Sequence, residues 1–304
     1  MHKKNIKQLK KTKMNIIFQI DGGLGKSVMG TAVLKAIRRQ YPDDYIIVVS
    51  SYPDVFINNS NVNKVLNHTQ LSGLYAKYIM DQEAKVFVGE PYQTSDYITE
   101  SKHLIQIWCE MFKVEYRGEL PEIFISEAEK QYFTQFYKVD KPIMVIQPNG
   151  GAVGQPLKYS WTRDIPQPTI EEVIRYFKND YAILHIKRED QFVYEDTLQA
   201  LDDFRSIAIL LSLSKKRLLI DSSVMHIAAS LNLPSVVTWV GTNPNVFGYH
   251  TNTNIIANTP TKEVMLDHSH YSKYLLFQDM TSIPYNDLNE IFDVNQIIDS
   301  IRKQ

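Results

Sequence analysis

Asp221-Ser222-Ser223, with His226 three residues further on, is the stretch of this chain best suited to chemistry on an anion. An apolar run over residues 218–220 stops at Asp221, and helical spacing starts at once through Ser223, Val224, Met225 and His226. The first N–H groups of a helix have no partner inside it, and its dipole is positive at that end. A diphosphate can therefore bind there without a dedicated loop. Ser222 and Ser223 add hydroxyl donors, and Ala228, Ala229 and Ser230 are small enough to let the helix lie close to a sheet. A plainer reading makes Ser222 an N-cap and His226 a helix residue with a satisfied partner.

Residues 21–27 (DGGLGKS) pose the second chemical question. A phosphate-gripping loop needs G-x-x-x-x-G-K-[ST], so that backbone N–H groups cradle phosphates, Lys reaches them and the hydroxyl meets Mg²⁺. Gly22, Gly23, Gly25, Lys26 and Ser27 approach that pattern, but Ile20 stands where its first Gly belongs. The variant K-G-G-x-G-K-T of ParA-like ATPases is nearer, with Asp21 replacing its first Lys. A phosphate loop and a glycine turn with another task both stay open on these residues alone.

The elements around them are those of parallel α/β units. Residues 14–20 (MNIIFQI) and 45–49 (YIIVV) read as buried strands, joined by a helix from Ser27 that Pro42 stops. A strand, a helix and a strand within about forty residues imply a parallel sheet with helices on its faces. Another strand is expected at 85–88, and Trp108 on a helix. Residues 119–142, with Pro121, an acidic-basic helix and Pro142, form the passage to a second alternating series. That series has strands at 143–147, 182–186, 218–221 and 235–241, with helices at 169–178, 206–214 and 223–231. A closing helix is expected over 287–301.

A chain of 304 residues has the length for two domains of roughly 150 residues each. At 44% hydrophobic and 22% charged it has globular composition, and no apolar run approaches the ~20 residues of a membrane span. Its single cysteine, Cys109, has no partner for an internal disulfide and lies in an apolar stretch, which fits a reducing, cytoplasmic setting. Residues 1–13 carry Lys3, Lys4, Lys7, Lys10, Lys11 and Lys13 and no acid; without them the formal balance moves from −1 to −7. Such a tail is read as solvated, with weak contact to anionic lipid or nucleic acid as the sharper alternative. It lacks the apolar core of a secretory signal, and Met14 is a candidate start. Asp267, His268 and His270 read as a polar loop, not a metal site.

The segment from Asp221 to Pro244 resembles the C-terminal motif of the heptosyltransferase family (ADP-heptose:lipopolysaccharide type, GT-B fold), which begins D-[ST]-G-x-x-H-x-A-A. Asp221, Ser222, His226, Ala228, Ala229, Pro234, Val236, Gly241, Thr242 and Pro244 fall on it, with Ser223 in place of the usual Gly. Residues 205–221 and 29–51 are similar to further parts of the family, so the resemblance runs from Met14 to about Ile256. It implies an α/β GT-B fold, two Rossmann-like domains facing across a cleft. The boundaries would be a basic tail at 1–13, an acceptor-side domain at 14–140, a donor-binding domain at 141–285 and a closing helix at 286–304.

By the same resemblance the chain is a glycosyltransferase. It would move a sugar from a nucleotide-sugar to a hydroxyl-bearing acceptor, a saccharide before a nucleic acid, with inversion and without a metal or other cofactor. Its donor would lie against Ser222, Ser223, Val224, Met225 and His226, with Asp221, Thr242 and Lys158 nearby; Lys158 matches a family Lys that approaches the donor phosphate. The family's first glycine turn, here Gly22, Gly23 and Gly25, faces the cleft from the acceptor side and normally reads Gly-Asp, the Asp being the candidate base. Here Lys26 follows Gly25, leaving Asp21 as the nearest carboxylate to take that role. A cation at a helix start is disfavoured by the dipole, so Lys26 calls for an anionic partner, Asp21 or a substrate phosphate. A ParA-like ATPase, a transferase acting on a modified DNA base and a non-catalytic sugar-nucleotide binder are the competing readings. Removing residues 1–13 is expected to leave one cooperative thermal melt and unchanged donor binding, since the first strand begins after them; a lost melt contradicts the reading of the tail.

Overall fold

The computed structural model describes residues 13–151, 160–200, 203–261, 283 and 285–304. Two parallel sheets organise them. The first has the order β3-β2-β1-β4, from β1 (Asn15–Ile20), β2 (Tyr45–Ser50), β3 (Lys64–Asn67) and β4 (Ala84–Phe87). The second has the order β10-β9-β8-β5-β6-β7. Its strands are β5 (Ile143–Ile146), β6 (Ala182–His185), β7 (Thr197–Gln199), β8 (Lys216–Ile220), β9 (Ser235–Trp239) and β10 (Asn252–Ile256). Central strands are covered on both faces, which is why β1, β2, β5 and β8 read as near-continuous apolar runs. This is the α/β two-sheet architecture expected from the alternation.

The helices are α1 (Leu24–Gln40), α2 (Leu74–Tyr78), α3 (Ser95–Ile98), α4 (Leu104–Met111), α5 (Glu127–Thr134), α6 (Gln167–Phe177), α7 (Phe204–Leu213), α8 (Ser223–Ser230), α9 (Pro244–Phe247) and α10 (Val294–Lys303). None among the described residues is long and apolar enough to cross a membrane. Helix α1 starts at Leu24, three residues before the expected Ser27, because Gly22 turns the chain at φ +107° directly after β1. Few residues but glycine adopt that angle without strain. Strands β3, β7 and β10 went unseen in the sequence: β3, β7 and β10 sit at sheet edges, and KVLN, TLQ and NTNII carry no long apolar run.

One boundary expectation needs correction. The closing helix begins at Val294 rather than 287, because residues 288–290 form a 3₁₀ turn and Asp293 caps the true helix by accepting from the Asn295 N–H. Ile297 and Ile301 then bury its apolar side against the second sheet's core. The passage between the sheets has the helix expected in it. Its helix α5, opened by a capping box of Ser126 and Glu129, lies on α7, where Arg205 donates to Glu129 and to the Phe124 carbonyl.

One apolar core joins the two sheets, running from Phe18 and Trp108 through Val33 to Met225 and Trp239. At its upper rim the starts of α1 and α8 touch. A methyl carbon added at Gly25 would lie 3.0 Å from His226 Cδ2 and 3.4 Å from Ser223 Cα. Around this seam His226 Nδ1 meets the Tyr249 hydroxyl at 2.8 Å, His103 Nε2 meets the Gly248 carbonyl at 3.1 Å, and Asn243 donates to Glu100. Burial pushes the His226 imidazole down to about 3 and that of His103 to about 4, so both are neutral in the folded protein.

Two outcomes follow for the seam. Gly25→Ala is expected to destabilise the chain by about 1–3 kcal/mol, as overpacking does, read as a lowered melting midpoint. The histidines set a pH window with a definite sign. Their folded values lie below the ordinary 6.5 of the unfolded chain, so the unfolded state binds more protons and stability rises with pH. The contribution is whole above about pH 6.5 and is lost as pH falls towards 4. Melts at pH 7 and pH 5 should show the loss, with a smaller slope in His226→Asn.

Candidate functional site

Loops from the carboxyl ends of both sheets converge on the seam, the place where open parallel sheets bind ligands. The second sheet contributes the turns after β5, β8 and β9. Ser222, in extended backbone at φ −158°, caps α8: its hydroxyl accepts from the Val224 N–H at 3.3 Å and donates to Gln147 at the end of β5. The hydroxyl is thus engaged locally, and the N-cap reading holds. Val224 and Met225 turn their side chains into the core, so towards a ligand they can offer backbone only. His226 is held by Tyr249 as an uncharged ring facing Gly25, which gives it no cation to offer a phosphate.

Asp221 is flanked by two groups from different turns. Burial raises its carboxyl above the usual range, opposed by the Arg163 guanidinium and by a hydrogen bond from Thr242. Arg163 was not singled out in the sequence; its turn is built by Asp164, which accepts from the Gly150 and Ser160 N–H groups and from Asn149. Beside that turn lies a hollow of about 390 Å³ lined by Asn149, Gln167, Asp190, Gln191, Phe192 and Tyr194. Asn149 Oδ1 is buried there without a hydrogen-bond partner among the described residues, a cost that a ligand donor would relieve. Lys158 and the Asp267, His268, His270 group lie outside the described residues. Among the described residues no cluster of three or more His, Cys, Asp or Glu is placed to hold a metal ion.

From the first sheet come the turns after β1 and β4. Asp21 stands on the outer lip, its side chain 55% exposed, 3.1 Å from His68 Nε2 and accepting from Gln19. Lys26 is only 6% exposed, and its expected protein partner needs correction: the carboxylate it meets is not Asp21 but Glu90, at 2.6 Å from Nζ to Oε2. The ammonium also lies 5.6 Å from the Tyr92 ring centre and 5.5 Å from that of Trp108, within cation–π range. Glu90 and Lys26 are 64 residues apart. The available signal was positional: Glu90 follows β4 at its carboxyl end, as Asp21 follows β1.

Ser27 completes the answer to the glycine turn. Its hydroxyl is fully buried 3.0 Å from that of Ser50. With Lys26 held by Glu90 as well, the two residues that define a phosphate loop are both used inside the fold. Gly22, Gly23 and Gly25 serve the turn and the close approach to α8 instead. The two halves also sense each other: burial, Tyr97, Asp221 and Glu90 push the Tyr92 phenol up, and Arg163 opposes them. Tyr92 stacks on Phe247 across the seam, with centroids 6.3 Å apart.

No family model matches the sequence, and no curated protein matches it. Solved structures do match its fold. A glycosyl transferase of family 9 from Veillonella parvula superposes with a TM-score of 0.66 at 15% identity, over 95% of this chain and 96% of that one. The E. coli ADP-heptose LPS heptosyltransferase II gives 0.65 at 14% identity, over 95% and 98%. The dodecameric iron-containing glycosyltransferase TibC of enterotoxigenic E. coli gives 0.65 at 11%, over 96% and 76%. At these identities the likeness is one of fold, and it falls on the same kind of protein that the Asp221–Pro244 segment resembles. The chain has the two-sheet α/β GT-B fold of these glycosyltransferases.

Proposed function

We propose that the protein is a nucleotide-sugar-dependent glycosyltransferase that transfers a sugar to a hydroxyl, on a saccharide before any other acceptor, with inversion at the anomeric carbon. The observation that carries this reading is the meeting of two helix starts, α1 and α8, beside Lys26 and Arg163. Each helix start carries roughly half a positive charge, which suits a diphosphate lying at Ser223 and Val224 with Arg163 alongside. As the donor bond breaks, negative charge grows on the leaving diphosphate, and fixed donors there stabilise it most when it matters.

The remaining parts take their places around that anion. The hollow lined by Asn149, Gln191 and Phe192 is of the size for the nucleoside, and Lys158 would add a cation for the donor phosphate. Residues 14–140 form the acceptor side, residues 141–285 the donor side, and residues 286–304 close the second unit, with a cytoplasmic setting. Structures of this fold are named for ADP or ADP-heptose, so adenine nucleotides head the panel of donors. TibC is named as iron-containing; here the diphosphate is matched by helix starts and side-chain cations, and the transfer is proposed to run without a metal.

A thermal-shift panel of nucleoside diphosphates and their sugar conjugates tests this. A ligand at 100 times its Kd should stabilise by about 2.7 kcal/mol. The shift should survive chelator and vanish in Ser223→Glu, which places a carboxylate in the anion site. Undiminished binding in Ser223→Glu, or Mg²⁺-dependent ATP binding lost in Lys26→Ala, would contradict the donor site and favour the ATPase reading.

A further inference from the structure

We propose that Glu90 is the general base of the transfer and that Lys26 is its positioning residue. The inference rests on the glycosyltransferase reading and deepens it. Sugar transfer to a hydroxyl has a strict proton balance. The acceptor oxygen forms a bond to the anomeric carbon, the bond from that carbon to the diphosphate oxygen breaks, and the nucleoside diphosphate leaves with the electron pair. The hydroxyl proton must go to a base. The residue that follows Gly25 at the start of α1 is a cation, Lys26. A charged ammonium has three donors and no acceptor, so it cannot take that proton.

Glu90 has the missing lone pair in the right place. One oxygen, Oε2, receives Lys26 Nζ at 2.6 Å. The other, Oε1, is shielded from solvent and has no hydrogen-bond partner among the described residues. Leaving a carboxylate oxygen in that state costs free energy, which a hydroxyl donor would recover. The side chain as a whole is 37% exposed, so the carboxylate borders open space. Glu90 holds Lys26, the residue after Gly25, and Gly25 abuts Ser223 and His226 at the start of α8.

Asp21 is the rival for this role, and its surroundings differ. Its carboxylate lies at the outer lip, already engaged by His68 and Gln19. Lys26, by contrast, is wedged between the Tyr92 and Trp108 rings and folds over Gly22. It therefore fixes one orientation of Glu90 and balances its charge between two helix starts. The carboxylate that the glycine turn lacks is supplied from the end of β4.

The test uses full-length protein and the nucleotide-sugars that shift its melt, with water as the probe acceptor and release of nucleoside diphosphate as the readout. Glu90→Gln and Glu90→Ala should lower turnover by about 100-fold or more, the range of a positioned base, with donor affinity kept. Formate should restore Glu90→Ala at least about tenfold, because a small carboxylate fits the gap, and should leave Glu90→Gln unrescued; a merely structural role shows no such difference. Lys26→Met should lower kcat with little change in KM for the donor. The double variant Lys26→Met/Glu90→Gln buries no unpaired charge and replaces the single ones if they fail to melt cooperatively; it too should be about 100-fold slower. If Glu90→Gln turns over donor normally, or Asp21→Asn loses the activity in its place, the assignment is wrong. A wild-type chain that binds donors and never turns them over also overturns it. Failure of every nucleotide to bind instead removes the glycosyltransferase reading beneath it.

Discussion

The contact on which the rest depends is the one between the first turns of α1 and α8. Two helices arrive from different sheets and abut at Gly25, Ser223 and His226 with their positive ends towards one another. Left alone, that arrangement is repulsive. Lys26 and Arg163 add formal positive charge. Glu90 and Asp221 supply the internal counter-charge, one carboxylate on each side of the seam. Two unit charges balanced by two leaves the helix ends over, and a bound anion is what such a place accommodates best.

Local features serve that contact. Gly22 permits the turn that points α1 at the seam, and Gly25 permits the approach that a methyl group would obstruct. Ser222 spends its hydroxyl on capping α8 and anchoring it to β5 through Gln147. His226 fills the join as a neutral ring, fixed by Tyr249. None of these four needs to touch a substrate to matter. Their common effect is to hold backbone N–H groups and charged side chains in place before any ligand arrives, the condition under which electrostatic stabilisation is effective.

What was legible in the sequence was what is local. The run from Leu218 to His226 announces strand end, cap and helix start in nine consecutive residues, and the structure has each of them there. Buried strands such as β1 and β2 were plain because both faces are apolar. Edge strands β3, β7 and β10 were not, since short half-covered strands leave no such run. The pairings that define the site escaped for another reason. Lys26 with Glu90 joins residues 64 apart, His226 with Tyr249 joins residues 23 apart, and Arg163 reaches Asp221 from a different turn. No periodicity reports a contact between turns that are brought together only when the strands of a sheet pair. The misfit of a lysine at a helix start did signal that an anion was needed; it had no means of saying which.

The central claim is that a diphosphate binds at the start of α8 and not in the glycine turn after β1. A crystal structure with a bound nucleoside diphosphate tests it most directly. The account predicts phosphate oxygens within about 3 Å of the Ser223 and Val224 N–H groups, a hydrogen-bonding distance, with Arg163 alongside and Lys26 still on Glu90. Phosphates cradled by Gly22–Lys26, with the Lys26–Glu90 pair broken and Ser27 released from Ser50, would contradict it.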